Sequence, residues 1–479
     1  MAPMKPLLGA AVGGLILGVS LPPFDLWFVA PAGYALLAWA LMDGSRRARA
    51  ARAAVFFTAF FVVGLAWAIE FAVVAFVALL LLEVVLCTLP FLLLPRTPRL
   101  ALLALPAFAT VAELLRYRWP LGGLPLAGVA LGQASGPLLP VARLGGDLLL
   151  VFVTASLGVA VFAARKHRGL AVTWTVISVA VAGAGWVVGA PGAGRPTRVA
   201  YVQGGGPRGL RAVENTTTDV YGNQVDAMAR LRGRVDLIVW PEDVIDLDGP
   251  IAKNPVRLEV GDLATKAKAT LVAGVVEDDG VDNFRNAAVA WDRSGKIVDR
   301  FEKVHRVPFG EYVPARGLVS KLADISAVPR DAIAGKGDGV LLTRAGELGV
   351  LISYEVFFAE RASAAVHGGA EILLVPTNAS SFRGRQVPEQ EVAAARLRAV
   401  ETGRDLVQAA PTGHSVFVSA RGTTAEISKL GPAAVASKTL HLRHGRTPYD
   451  RAGDRPIVAV AFILVIGALA LDRSVKSNL

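Results

Sequence analysis

The sequence predicts a bundle of about eight membrane-spanning α-helices joined to an extramembrane α/β domain. Hydrophobic residues make up 53% of the 479 residues, and the mean hydropathy is +0.49. Soluble domains rarely carry so much apolar surface, so we expect an integral membrane protein. The apolar residues are concentrated in two parts of the chain. We therefore predict about seven membrane helices in residues 1–193, a separate α/β domain in residues 194–455, and a last membrane helix with a tail in residues 456–479.

The membrane helices are predicted from apolar runs that approach the roughly 20 residues needed to cross a bilayer. These runs lie at residues 6–20, 26–42, 53–69, 71–94, 100–115, 144–164, 170–188 and 457–471. Basic clusters at residues 46–52, 96–99, 165–168 and 473–479 fall on one side if successive helices alternate in direction. Cytoplasmic loops are enriched in lysine and arginine, so both termini are predicted to be cytoplasmic and the α/β domain extracytoplasmic. Arg116, Arg118 and Arg143 are exceptions on the outer side.

Charge and cysteine content exclude several functional classes. The formal net charge is +11, but the tightest basic cluster lies between apolar segments, which favours membrane topology and anionic headgroups over nucleic acid. Cys87 is the single cysteine, so no intrachain disulfide and no cysteine-based metal site is possible. The six histidines show no ligand spacing. Further spanning segments follow the first apolar run, and we therefore expect no cleaved signal peptide.

The α/β domain is predicted from short apolar runs that alternate with helical patterns. Strands are predicted at residues 198–203, 235–240, 270–276, 286–291, 340–342, 348–352, 372–377 and 406–410, and helices at 219–231, 359–367 and 390–403. Residues 283–300 have the pattern of a hairpin with its turn at residues 292–295. Strand–helix alternation with hairpins predicts a sandwich of sheets flanked by helices.

Three polar side chains stand where predicted strands end. Glu242 follows an apolar run and Trp240-Pro241, Lys303 lies in a short polar segment before Val307, and Ser353 interrupts the apolar run 349–358 at a sharp turn. A carboxylate base, a cation and a small nucleophile together fit acyl transfer. Taken singly, the two charged residues have ordinary alternatives. Glu242 fits a helix start, and Lys303 fits a solvated lysine.

The order of these motifs resembles a known superfamily. Trp240-Pro241-Glu242 is followed by Lys303, then by Val-Pro-Phe-Gly-Glu-Tyr-Val-Pro at residues 307–314, and then by Ser353-Tyr354-Glu355. Residues 283–286 and 376–379 match as well. The set resembles the carbon–nitrogen hydrolase (nitrilase) superfamily. With eight membrane helices, it resembles the apolipoprotein N-acyltransferases of bacterial envelopes. The resemblance covers essentially the whole chain and implies a nitrilase-like αββα sandwich for residues 194–455.

The resemblance also implies roles for individual residues. The family carries a Glu-Lys-Cys triad, which places Glu242 as the base and Lys303 as the oxyanion-stabilising cation. Glu311, Tyr354 and Glu355 match supporting positions. Ser353 occupies the position of the catalytic cysteine.

A serine hydroxyl is much harder to deprotonate than a thiol, so this departure affects the chemistry. Three interpretations of Ser353 remain open. It is an engineered, silencing substitution, a natural serine nucleophile with weaker activity, or the mark of a natural non-catalytic relative.

The implied reaction is a two-step transfer from a membrane phospholipid to the N-terminal diacylglyceryl-cysteine of a lipoprotein, through an acyl-enzyme. The resemblance implies no cofactor and no metal. Two other functions are compatible with parts of the sequence. One is a non-catalytic membrane scaffold that partners an envelope glycosyltransferase, such as a polyprenol-phosphate mannosyltransferase, which Ser353 favours. The other is a small-molecule amidase, which the membrane helices disfavour.

Overall fold

The computed structural model describes residues 4–209, 217–321, 325–326 and 328–477. The chain divides into two compact units. The membrane unit comprises Met1–Gly189 and Thr447–Leu479, and the α/β unit comprises Ala190–Arg446.

The α-helices are named in chain order. They are α1 Met4–Gly18, α2 Ala30–Leu41, α3 Arg46–Gly64, α4 Val73–Thr88, α5 Pro98–Arg118, α6 Ala142–Ala163, α7 Arg168–Val187, α8 Thr217–Met228, α9 Val256–Ala267, α10 Arg316–Val319, α11 Ala359–His367, α12 Gln386–Thr402, α13 Pro448–Ala452 and α14 Arg455–Ser477. In the described part of the chain, five helical segments are long and apolar enough to cross a membrane: Val73–Leu93, Pro98–Arg118, Leu139–Ala163, Arg168–Val187 and Arg455–Val475. Met4–Gly18 and Trp27–Leu41 are shorter apolar helices. The total of eight spanning helices stays a prediction.

Helix α3 begins earlier in the chain than the sequence predicts, and the difference has a physical cause. Residues 46–52 were predicted as a loop, but they form the first turns of α3, where the Ser45 hydroxyl accepts a hydrogen bond from the Ala48 N–H. Arg49 and Arg52 are buried, and their guanidinium groups donate to the Pro95 and Ala40 carbonyls respectively, each at 2.8 Å. These two arginines therefore bind the carbonyl ends of neighbouring segments.

The strands of the α/β unit form two sheets. They are β1 Ala193–Gln203, β2 Leu237–Val239, β3 Ile245–Leu247, β4 Thr270–Asp278, β5 Asn283–Trp291, β6 Ile297–Glu302, β7 Asp331–Ala332, β8 Val340–Thr343, β9 Gly346–Val350, β10 Ile372–Pro376, β11 Leu406–Ala409, β12 Val416–Val418, β13 Thr424–Ala425 and β14 Ala434–Arg443. The first sheet has the order β14-β1-β2-β4-β5-β6, with β3 beside β4 and β7 beside β5. The second has the order β13-β12-β11-β10-β9-β8. The β1–β2–β4 and β9–β10–β11 pairings are parallel.

The two sheets pack face to face and their outer faces carry helices. Alternate residues of one strand point to opposite sides, so β1 sends Val199 and Tyr201 into the core between the sheets and Ala200 and Val202 into the core beneath the helices. Helices α8 and α9 contribute Ala227, Met228, Val260 and Ala264 to this second core. Helices α11 and α12 pack on the other sheet. The predicted αββα sandwich is confirmed. Both faces of each sheet are covered, which explains the nearly continuous apolar runs of its parallel strands.

Candidate active site

The turn after β2 carries Glu242 and depends on a close approach to β4. The Gly274 N–H of β4 donates to the Pro241 carbonyl at 3.0 Å. A Cβ on Gly274 would lie only 2.5 Å from the Glu242 Cα and 2.5 Å from the Pro241 oxygen. A glycine is therefore required here for the Glu242 backbone to lie against the sheet.

Lys303 follows β6 directly and lies between two carboxylates. Its Nζ is 2.8 Å from Glu242 Oε1 and 2.6 Å from Glu311 Oε1. Asn286, from the middle of β5, donates its Nδ2 to the same Glu242 oxygen at 2.8 Å. Glu311 is in turn fixed by the Val307 N–H, which donates to its other oxygen at 2.7 Å. The structure thus brings together Glu242, Lys303 and Glu311.

Electrostatics keep the Lys303 ammonium charged. Burial alone lowers the pKa of Lys303, because the ammonium loses water, but Glu242 and Glu311 outweigh this effect and raise the pKa above that of an ordinary lysine. An ammonium has three N–H donors. Within the described residues, the hydrogen bonds of Nζ go to these two carboxylates, which leaves one donor for a developing oxyanion.

Ser353 sits at the turn that follows β9. Its φ is +49°, in the left-handed region that residues other than glycine rarely adopt, and it begins a 3₁₀ helix, Ser353–Phe357. Such backbone strain costs about 1–3 kcal/mol and is often found at reactive sites. Ser353 is 8% exposed. The sharp turn expected at residue 353 is therefore present.

Glu355 and Tyr354 hold this turn. Glu355 Oε1 accepts from the backbone N–H groups of Val304 and His305 at 2.9 and 3.0 Å, and its Oε2 accepts from the Ile352 N–H at 2.9 Å. One buried carboxylate thereby joins the segment after Lys303 to the segment before Ser353. Burial raises the pKa of Glu355, while the Arg361 charge and these N–H groups act in the opposite direction. The Tyr354 ring packs edge-on against Phe358, with ring centroids 4.9 Å apart.

Thr377 and Glu391 form a second polar group beside Ser353. Thr377 directly follows β10, and its Oγ1 lies 3.3 Å from Ser353 Oγ and 2.7 Å from Glu391 Oε1 of α12. The pKa of Glu391 is raised to about 8, chiefly by burial and also by the charge of Glu242, while the Thr377 hydrogen bond and the Lys303 charge act in the opposite direction. Among the described residues, no hydrogen bond joins Ser353 Oγ to Glu242 or Lys303.

A further buried acid lies next to the base. Asp243 follows Glu242 with a φ of +57°, and the Asn378 amide donates to its Oδ2 at 3.4 Å. Burial and the neighbouring Glu242 raise the pKa of Asp243 well above its usual value, whereas Lys303 lowers it. Four acidic side chains, Glu242, Asp243, Glu311 and Glu391, thus surround one cation. Within the described ranges, no group of three or more ligand side chains is arranged to hold a metal ion.

Sequence reasoning assigned no role to Asn286, Asp243, Thr377 or Glu391. Asn286 had a usable signal, because it is a polar residue directly before the apolar part of strand β5, Ala287–Trp291. Thr377 also had a usable signal. It directly follows the buried strand β10, and Glu242 and Ser353 likewise come shortly after the ends of buried strands. Glu391 had none. It lies in the charge-rich stretch Glu389-Gln390-Glu391, and only the packing of α12 beside the Ser353 turn brings it to the site.

Both parts of the chain match known protein families. Residues 196–440 match the carbon-nitrogen hydrolase family, and residues 13–160 match the apolipoprotein N-acyltransferase N-terminal domain. The apolipoprotein N-acyltransferase of Mycolicibacterium smegmatis is 31% identical, over 97% of this chain and 84% of its own length. That of Shewanella oneidensis is 25% identical, over 97% of this chain and 94% of its own. The crystal structure of Saccharomyces cerevisiae Nit3, of the nitrilase superfamily, is 22% identical and covers 52% of this chain and 91% of its own, with a TM-score of 0.39.

The relatives match both the helical part and the α/β part, in the order in which they occur here. This chain belongs to the apolipoprotein N-acyltransferase family, within the carbon–nitrogen hydrolases.

Proposed function

We propose that this protein N-acylates the N-terminal diacylglyceryl-cysteine of lipoproteins, with a membrane phospholipid as acyl donor. The observation that carries the proposal is the buried Glu242–Lys303–Glu311 cluster in a chain of this family, with Ser353 at the strained turn after β9. The acyl donor and the acceptor are both lipids held in a membrane, which suits a catalytic domain carried on membrane helices.

The proposed reaction has two steps. The Ser353 hydroxyl attacks an ester carbonyl of the phospholipid, forming a C–O bond and giving its proton to a carboxylate of the site, and Lys303 stabilises the oxyanion with its remaining donor. The ester C–O bond of the phospholipid breaks, lysophospholipid leaves with that proton, and an oxyester acyl-enzyme remains. The free amine of the lipoprotein then attacks that ester. Glu242 takes the amine proton, the amide forms as the bond between the acyl carbon and Ser353 Oγ breaks, and Ser353 Oγ regains the proton. Glu311 fixes Lys303, and Tyr354 and Glu355 hold the turn.

We further propose the bacterial cytoplasmic membrane as the location, with the α/β unit outside the cytoplasm and both termini inside. The support is the basic clusters at residues 96–99, 165–168 and 473–479. A tag that is labelled only from the cytoplasmic side, placed after residue 479, tests this orientation.

A second candidate function is a membrane scaffold for a polyprenol-phosphate mannosyltransferase. The specific observation in its favour is Ser353, because an oxygen nucleophile is activated less easily than the family's thiol. The small-molecule amidase is disfavoured by the helices of the membrane unit.

Transfer to a lipopeptide separates these functions. The full chain in detergent is incubated with phosphatidylethanolamine and a synthetic diacylglyceryl-cysteine peptide, and the peptide mass is measured. We expect a gain of one acyl group with this chain and none with Ser353→Ala. Product from Ser353→Cys alone would mean that the site is built for transfer but that serine silences it. If neither form gives product while a mannosyltransferase co-purifies in equal amount, the scaffold function replaces the proposal.

A further inference from the structure

Ser353 has a hydrogen-bond route that does not pass through the Glu242–Lys303 cluster. Its Oγ contacts Thr377 Oγ1, and the same Thr377 oxygen contacts Glu391 Oε1 at the shorter distance of 2.7 Å. Glu242 Oε1 meanwhile already accepts from Lys303 and Asn286. The nearest base connected to the serine by hydrogen bonds is therefore Glu391 and not Glu242.

The direction of these hydrogen bonds follows from the number of protons. A threonine hydroxyl has one proton and can donate it to one partner only. When Glu391 is ionised, the short contact takes that proton, since hydrogen bonds to a charged acceptor are the stronger ones. As the side chains lie, the Thr377 hydroxyl is the donor toward Ser353 Oγ at 3.3 Å. Once ionised Glu391 takes the Thr377 proton, Thr377 Oγ1 can only accept, so the Ser353 hydroxyl turns to donate to it.

We propose that Ser353, Thr377 and Glu391 form a proton relay in which Glu391 accepts the serine proton through the Thr377 hydroxyl. As Ser353 Oγ bonds to the ester carbon, its proton moves to Thr377 Oγ1 and the Thr377 proton moves to Glu391 Oε1. The adduct then breaks the ester C–O bond, and the departing alkoxide recovers that proton, so that Glu391 is ionised again. Glu242 is left to deprotonate the attacking amine in the second step. The substrate in this scheme rests on the proposed function; the relay itself does not.

The surroundings of Glu391 suit a base. It is 3% exposed, and its Oε2 is buried with no hydrogen-bond partner in the described part of the chain. With its pKa raised to about 8, Glu391 is a stronger base than an ordinary carboxylate. Such a base matters more for a hydroxyl than for a thiol, which loses its proton far more readily.

The charged groups around Glu391 set the expected pH dependence. Glu242 raises its pKa and Lys303 lowers it. The 3₁₀ helix and α11 pack against α12 and carry Glu355 and Arg361, which face each other at 3.5 Å, together with Glu360 and His367. On α12 itself, Arg398 pairs with Glu401 at 2.8 Å. Glu391 ionises as the pH rises through about 8, so acylation of Ser353 is expected to rise over the same range.

The test measures the reaction of the full chain in detergent with the ester p-nitrophenyl decanoate. The nitrophenolate group of this ester departs without a proton, so release of the first equivalent of nitrophenolate measures activation of the nucleophile alone. We expect Glu391→Gln to slow this acylation by at least about 100-fold and to abolish the rise near pH 8. Thr377→Val is expected to do the same and Thr377→Ser to retain the rate. Glu389→Gln, on the same helix but paired with the exposed Arg385, is the matched control and is expected to leave the rate unchanged.

A Ser353→Cys background separates a proton relay from a structural role. A thiol needs little base assistance, so adding Glu391→Gln to Ser353→Cys is expected to change acylation less than about threefold. Equal losses in the serine and cysteine forms would overturn the relay, because they would show a role in shaping the site. No acylation of the serine form beside a reactive cysteine form would also overturn it. Acylation with the expected pH profile but no transfer to lipopeptide would leave the relay standing and refute the proposed function.

Discussion

Each unit of this protein buries a cation between two carboxylates. The two clusters differ in whether the cation keeps an unused hydrogen-bond donor. In the membrane unit, Arg116 Nε lies 2.6 Å from Glu83 and its Nη1 lies 3.1 Å from Glu113. Its Nη2 donates to the Leu126 carbonyl, and the guanidinium lies 5.0 Å from the Phe61 ring centroid. All three guanidinium nitrogens of Arg116 thus have partners. In the α/β unit, Lys303 keeps one N–H donor for which the described residues supply no acceptor.

This difference distinguishes a structural ion cluster from a reactive one. The planar fork of an arginine fixes several segments at once, and here it joins α4, α5 and the segment after α5. A lysine is a compact charge that can serve a transient anion. Around Lys303 there are also two further buried acids with raised pKa values and a serine in a strained conformation. A cation with a spare donor beside a strained serine indicates chemistry, whereas a cation whose nitrogens are all bonded indicates a structural role.

The largest effect is expected from a substitution that breaks the Arg116 cluster of the membrane unit. Arg116→Met leaves two buried carboxylates without their cation, which is expected to lower the free energy of unfolding by about 3–5 kcal/mol. Thermal unfolding in detergent measures this loss. Arg118→Met is the control, because Arg118 is 48% exposed where it pairs with Asp454 and such pairs contribute about 0–1 kcal/mol. If the Arg116 cluster is structural, Arg116→Met acylates at the normal rate per folded molecule; a specific loss of rate would assign it a role in the reaction.

The next largest effect is expected from a substitution that breaks the Lys303 cluster of the α/β unit. Lys303→Met removes the donor meant for the oxyanion, and we expect the acylation rate to fall by about 10²–10³-fold. The nitrophenolate assay measures it. Lys296→Met, in the exposed turn between β5 and β6, is the matched control and is expected to have no effect. A folded Lys303→Met protein that acylates at the normal rate would contradict the comparison between the two clusters.

A smaller effect is expected when Glu242 is displaced and no charge is changed, which tests how far the comparison depends on the position of Glu242. Gly274→Ala places a methyl group 2.5 Å from the Glu242 Cα, so the turn that carries Glu242 must shift. We expect about a 10- to 100-fold loss of lipopeptide acylation, as for other misplacements of about 1 Å in a reacting site. Gly222→Ala in α8 is the control, since nothing lies within 4 Å of its added Cβ and alanine favours a helix. Equal activity of both variants would show that the position of Glu242 is not critical.

The sequence predicted the parts of the fold that have strong local patterns. Residues 359–367 were predicted as a helix and form α11, and the hairpin at residues 283–300 is present as β5 and β6. Strand β14 was not predicted, because Ala434–Arg443 mixes polar and apolar residues and is only partly buried. Its partner is β1, more than two hundred residues earlier in the chain, and such pairing leaves little local signal.

The site was predictable only as far as its motifs reached. Glu242, Lys303 and Ser353 each stand at the end of a strand, and that position was visible in the sequence. Thr377 and Glu391 reach Ser353 because β10 pairs with β9 and α12 packs on the turn that follows. Contacts of this kind depend on tertiary packing, so no local pattern announces them.

The central claim is that Ser353 is a working nucleophile in this site. The direct test is the intact mass of the full chain after incubation with phosphatidylethanolamine alone, followed by peptide mapping, beside Ser353→Cys and Ser353→Ala. We predict a gain of one acyl group at residue 353 in the chain as it stands and in Ser353→Cys, and none in Ser353→Ala. A gain confined to Ser353→Cys, or a gain that Ser353→Ala retains, would contradict the claim.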